Sequence, residues 1–180
     1  MWYDVKTNTT YQSEHDVRNA FQSVLFASTF SDEQAAVAGL IPLIDGEKPP
    51  VTPYVNTLEA GTVTVSEGKA LRSWVLRPLT TQEIAIQKQM MLMQCDAALT
   101  AYLDSVAQSR RYDNRITLAV RAGYPNDWQA EATAFGTWMD TCNKMAYQFM
   151  QEVLAGTRPC PVNSDELLAA LPPMVWPTTV

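Results

Sequence analysis

Apolar positions along this chain follow two different periods, and the change between them divides it. Trp2 to Val5 reads as a short first strand, with Lys6 to Thr9 as its turn. Ser13-Glu14-His15-Asp16 then opens a short helix with Val17, Ala20 and Phe21 on one face. Ser31 and Gln34 have capping-box spacing for a second short helix, which Gly39 stops. Pro42, Pro49, Pro50 and Pro53 predict an extended, exposed connection. A hairpin follows, Thr62–Val65 and Ala70–Leu76 around Ser66-Glu67-Gly68-Lys69, with Gly68 supplying a positive φ. Alternation sets Leu71, Ser73 and Val75 against Arg72, Trp74 and Leu76. Neither face is cleanly polar, so a sheet covered on both sides is expected.

Beyond Pro78-Leu79 the period becomes helical. Thr80-Thr81-Gln82-Glu83 is a capping box, and no proline or glycine interrupts residues 81 to 109. At ~1.5 Å per residue that helix is about 40 Å long and links two lobes. Ile84, Met91, Cys95, Ala98, Tyr102 and Val106 form one apolar stripe, widened by Ile86, Met90, Met93, Ala97 and Leu103. Two readings stand: a core helix packed on its own C-terminal helices, or a stalk or homo-oligomer seam with Met90, Met91 and Met93 as an adaptable contact. A short helix from about residue 113 to 122 is stopped by Gly123-Tyr124-Pro125. Asn126 caps a long one to about Ala155, and Gly156 terminates it. Its apolar positions include Trp128, Phe135, Trp138, Cys142, Met145 and Phe149, with Phe135 and Trp138 as core. Ser164 caps a last short helix, residues 165 to 170. Leu171 to Pro177 is held extended by Pro172, Pro173 and Pro177. The fold class is α+β: a small mixed lobe with a hairpin, residues 1–79, then a helical bundle with an extended tail, residues 80–180.

A chain of 180 residues, 47% apolar and 18% charged, has enough material for a real core. The net charge of −6 is scattered, and Arg110-Arg111 is the only basic doublet, a pattern of helix C-termini. No nucleic-acid partner is expected. Cys95, Cys142 and Cys160 lack a metal or disulfide spacing, so reduced thiols are expected, the first two as small core hydrophobes. The start MWYDVKTNTT has no signal-peptide pattern and no apolar run approaches a membrane span. A soluble product made in a host cytoplasm is expected.

Catalytic chemistry finds little support. His15 is the single histidine, beside Glu14 and Asp16, which suits a solvated or capping role better than a ligand or base. Asp32-Glu33 and Asp165-Glu166 fall in first turns, where acids favour the helix dipole, and adjacent carboxylates do not face each other across a cleft. Seven glycines form no phosphate-cradling string. A non-enzyme without cofactor or metal is expected.

The stretch from Arg111 to Val180 carries a further signal. Tyr112-Asp113-Asn114, Ala122-Gly123-Tyr124-Pro125-Asn126, Gln129-Ala130-Glu131-Ala132, Phe135, Trp138, Ala155-Gly156-Thr157-Arg158-Pro159 and Leu167 to Pro172 follow one another in a specific order and spacing. This pattern resembles the C-terminal module of tail-fibre assembly and tail-associated proteins of bacteriophages and prophages. Val17-Arg18-Asn19-Ala20-Phe21, Ser31-Asp32-Glu33, Gly39-Leu40-Ile41-Pro42 and Trp74-Val75-Leu76 resemble the same proteins more loosely.

The resemblance implies a protein that binds tail-fibre or tail-tip subunits, either retained in the virion tail or acting as an assembly chaperone that leaves. Proline-rich connections and tails order when a neighbour holds them, which ranks the retained component first. A glycan-binding module using Trp2 or Trp176 is the third reading. Met174, Val175 and Trp176 are the candidate partner contacts, joined by Met90 and Met93. An extended chain points Met174 and Trp176 one way and Val175 the other. One side then covers the bundle while the other meets a neighbour, unless the whole tail merely caps its own lobe.

Overall fold

The computed structural model describes residues 1–28 and 30–178. The chain divides into two compact units, Met1–Leu79 and Thr80–Val180. Strands and short helices make up the first, helices the second, so the protein is α+β.

The first unit is built on a five-stranded sheet: β1 (Trp2–Asp4), β2 (Thr9–Tyr11), β3 (Leu40–Asp45), β4 (Asn56–Ser66) and β5 (Lys69–Pro78). Their spatial order is β2-β1-β3-β5-β4, antiparallel throughout except between β3 and β5. The turn after β1 is tied by Asp4, which accepts hydrogen bonds from the Lys6 and Thr7 N–H groups and the Thr7 hydroxyl. Those bonds, the Thr7 hydroxyl foremost, hold the Asp4 carboxyl below its ordinary value. The sequence reading missed β2, which pairs Tyr11 with Trp2.

It also misplaced Pro42, which lies inside the central strand rather than in an exposed connection. The Leu43 N–H donates to the Met1 carbonyl at 3.0 Å, so the alternation makes Trp2 and Pro42 a non-hydrogen-bonded pair. On its other side β3 pairs with β5 only from Leu43 onward. Pro42 therefore removes no ladder bond.

The hairpin of β4 and β5 is longer than expected, and both turn residues, Glu67 (φ 51°) and Gly68 (φ 72°), are left-handed. A register shift between Ala60 and Val63 accommodates Gly61, where an added Cβ would meet the Ser73 Oγ at 2.5 Å.

Both faces of the sheet carry buried residues, although its hairpin end stays partly open. Helices α1 (Glu14–Ala20) and α2 (Asp32–Val37) place Val17 and Ala35 with Leu40, Trp2, Phe21, Phe26 and Phe30. Ala20, expected on that face, is exposed. Tyr3, Leu43 and Ala70 form a second small cluster. Ile44, Leu71 and Val75 stay about half exposed. Beside them Arg72 is buried, paired with Asp45 at 2.6 Å and stacked on Trp74. Ser31 accepts from the Gln34 N–H, but the Gln34 side chain takes the Ala27 N–H instead of closing a capping box.

The second unit opens with α3 (Thr81–Gln108), one uninterrupted helix capped reciprocally by Thr80 and Glu83. Its buried stripe is Leu92, Cys95, Leu99, Leu103 and Ala107; the expected Met91, Tyr102 and Val106 flank it. Beyond its C-cap, Ser109, the chain turns at Arg111 (φ 68°), and the Tyr112 N–H reaches back to the Ala107 carbonyl.

Next come α4 (Arg115–Ala119), capped by Asn114, and a 3-10 turn, Val120–Gly123. Helix α5 (Gln129–Ala155) starts two residues later than expected. Asn126 instead ties the preceding turn, donating to the Arg121 and Tyr124 carbonyls and accepting from the Trp128 N–H. Ala132, Phe135, Trp138, Cys142, Ala146, Phe149 and Val153 of α5 are buried, and Gly156 (φ 74°) ends it. Trp128 and Met145, named among the apolar positions of this stretch, are exposed. Before α6 (Asp165–Ala169) the Asn163 side chain, not Ser164, accepts the Asp165 N–H.

Candidate binding groove

The tail after α6 is extended and seated on α5. Leu171 is buried, and the Trp138 indole Nε1 donates to the Pro172 carbonyl at 2.8 Å. That bond satisfies both a polar atom brought inside with the ring and a carbonyl of a segment without ladder partners. The Tyr102 ring meets Trp138 edge-on at 5.8 Å, and Trp176 lies parallel to Phe135 at 6.1 Å, 8° between planes. The Arg110 guanidinium covers Trp176 at 4.8 Å.

Burial in the tail alternates. Met174 and Trp176 pack on the bundle, while Val175 is 78% exposed. Of the three candidate tail contacts only Val175 is free to meet a neighbour.

Between this tail and the first half of α5 runs a groove of about 800 Å³. Its floor follows from a three-residue ladder. Thr133, Thr137 and Thr141, each four apart, donate their hydroxyls to the carbonyls of Gln129, Thr133 and Thr137 at 2.8–3.0 Å. A threonine bonded back to its own helix spends its polar group there and leaves its methyl as the free end. With Ala130, Ala134, Trp138 and the Pro172-Pro173 rim, the result is a long apolar surface at whose edge Val175 stands. Among the described residues no group of three His, Cys, Asp or Glu side chains is placed to hold a metal. The groove also contains no nucleophile beside a base.

The other candidates fall elsewhere. Met90 (57% exposed) and Met93 (64% exposed) lie on the outside of α3, Met93 beside a shallow cleft with Tyr147 and Leu154. Met91, expected with them, turns toward the core. His15 is exposed and 2.9 Å from Asn19. Trp2 donates to Asp32 and meets Phe30 edge-on at 4.9 Å, and the Trp176 ring is in contact with Phe135 and Arg110. Cys95 and Cys142 are fully buried, and burial pushes both thiols above their ordinary pKa. No helix among the described residues is long and apolar enough to cross a membrane.

No protein-family model, no curated protein and no solved structure matches this chain. The sequence reading anticipated the alternation of the tail but not the threonine ladder, although Thr133, Thr137 and Thr141 at fourfold spacing were visible in the sequence. A helix reading that weights only large side chains passes over methyl-bearing polar ones.

Proposed function

We propose that this chain is a non-enzymatic, bacteriophage tail-associated protein that binds a tail-fibre or tail-tip subunit and remains in the virion tail. The observation that carries this reading is the composition of the groove. Gln129, Ala130, Trp138 and Pro172 line it, and all four belong to the stretches that resemble tail-associated proteins. An apolar trough walled by methyl groups and bordered by an extended, proline-stiffened segment suits the apolar face of a partner helix or strand. A tail stiffened by prolines loses less entropy when it is fixed in a complex.

Mass spectrometry of purified particles tests the reading. Presence at a stoichiometry comparable to a tail component supports it. Absence from particles, with the chain found on fibre subunits in the lysate, moves the assignment to an assembly chaperone. Absence from both rejects tail association.

A further inference from the structure

We infer that the cleft formed by Arg110, Arg111, Tyr112, Arg121, Trp128 and Glu131 receives an acidic side chain from an extended segment of a partner protein. The cleft encloses about 500 Å³ and lies in the helical unit. Three guanidiniums and one carboxylate line it, a local charge of +2 in a chain whose net charge is −6.

Two of those guanidiniums lack an anionic partner. Arg110 pairs with Glu131 at 3.5 Å. Arg111 carries a left-handed backbone and an exposed side chain, and no acceptor among the described residues takes a hydrogen bond from its guanidinium. Arg121 is half-buried, its guanidinium 5.8 Å from the centre of Tyr112 and 5.1 Å from that of Trp128, with no carboxylate on its donors. A guanidinium packed on aromatic rings keeps its planar edge as a binding surface, the edge that grips a carboxylate with two parallel bonds. Burial, and then the Glu131 carboxylate, raise the Tyr112 phenol above its ordinary pKa, so the ring enters this cluster as a neutral hydroxyl.

Glu131 narrows the choice of anion. Its Oε1 atom is buried and 3.5 Å from the Arg110 Nε, so its negative charge stays beside the cleft. That charge repels a singly charged carboxylate less than a doubly charged phosphate. Two coplanar carboxylate oxygens also match the edge of a guanidinium. An aspartate or glutamate side chain of a partner segment supplies them. The inference deepens the proposed tail association by naming the chemistry of the partner segment, and it is testable without any tail protein.

The full chain, labelled with nitrogen-15, is titrated with the blocked peptide acetyl-Ala-Asp-Ala-amide while the Arg121 Nε–H and Trp128 indole signals are followed. The expected result is a saturable shift of both, with affinity about tenfold weaker or worse for the asparagine peptide. Arg121→Gln and, separately, Arg111→Gln should each weaken binding by a similar factor, while Arg158→Gln leaves it unchanged. The Arg111 guanidinium makes no hydrogen bond or ion pair among the described residues, so its variant keeps the test open if Arg121→Gln unfolds. Equal shifts with the aspartate and asparagine peptides overturn the inference. So do stronger shifts with glucuronate, which point to an acidic sugar, or with inorganic phosphate, which point to a general anion site. A negative titration leaves the groove and tail association standing. A positive one in a protein absent from particles separates the two claims in the other direction.

Discussion

Trp138 donates its indole N–H to the carbonyl of Pro172 at 2.8 Å, joining the middle of α5 to a segment 34 residues later. The bond fixes where the tail leaves α6. The position of the tail then decides that Val175 faces outward and that a groove exists beside the threonine ladder.

Trp138 and Phe135 are therefore expected to be structural. Trp138→Ala should lower unfolding free energy by about 3–5 kcal/mol, and Phe135→Ala by a similar amount. Chemical denaturation of the purified variants measures this. A stability within about 0.5 kcal/mol of the parent contradicts the packing described.

The tail separates stability from binding. Trp176→Ala removes the parallel stack on Phe135 and the cover over Arg110, and should destabilise the bundle. Val175→Asp changes an exposed residue and should leave the melting temperature unchanged while weakening partner association. A Val175→Asp protein that binds normally removes Val175 from the interface.

The hairpin carries a conformational cost at Glu67, whose φ of 51° follows the demand of a two-residue turn for positive φ at both centres. Glu67→Asn gives the turn an Asn-Gly pair and should stabilise the first unit by roughly 0.5–1 kcal/mol. Differential scanning calorimetry reads this, and a lower melting temperature contradicts the turn assignment.

The buried thiols give the bundle a pH dependence. Burial raises the folded-state pKa of Cys95 and Cys142 above the ordinary value of 9.0. The unfolded chain then loses these protons first, so their contribution is fully present below about pH 9 and is lost as pH rises further. Stability should fall above that pH, less steeply in the Cys95→Ala, Cys142→Ala double variant. In the folded protein at neutral pH, a thiol reagent should titrate Cys160 before either buried cysteine.

Much of the fold was legible because its signals are local. Thr80 and Glu83 declared the start of α3, Gly156 the end of α5, and the stretch around Glu67-Gly68 the hairpin. What failed depended on pairing. Pro42 looked like a breaker because a proline's fitness for a strand turns on which way its missing N–H would face; here it faces away from Trp2, forty residues earlier, toward a side where β5 pairs only from Leu43 onward. The stripe of α3 was misassigned in part because Ile84, Ile86, Met90, Met91 and Met93 make the helix apolar on several sides. Only packing selects Leu92 and Leu99. For the candidate site, the alternation of Met174, Val175 and Trp176 followed from extended geometry. The groove required knowing that the tail folds back along α5, and the arginine cleft required bringing Arg121 next to Arg111.

The central claim is that the groove on α5 holds a tail subunit. Isothermal titration of the purified chain with phage tail-fibre and tail-tip subunits tests this most directly, with Thr137→Arg as the groove-filling variant. Thr137 is exposed on the helix, so the arginine should be tolerated by the fold. Binding of the parent to one subunit, weakened at least about tenfold in Thr137→Arg at unchanged melting temperature, is the predicted result. Equal affinity of parent and variant, or no binding of the parent to any tail subunit, contradicts the account.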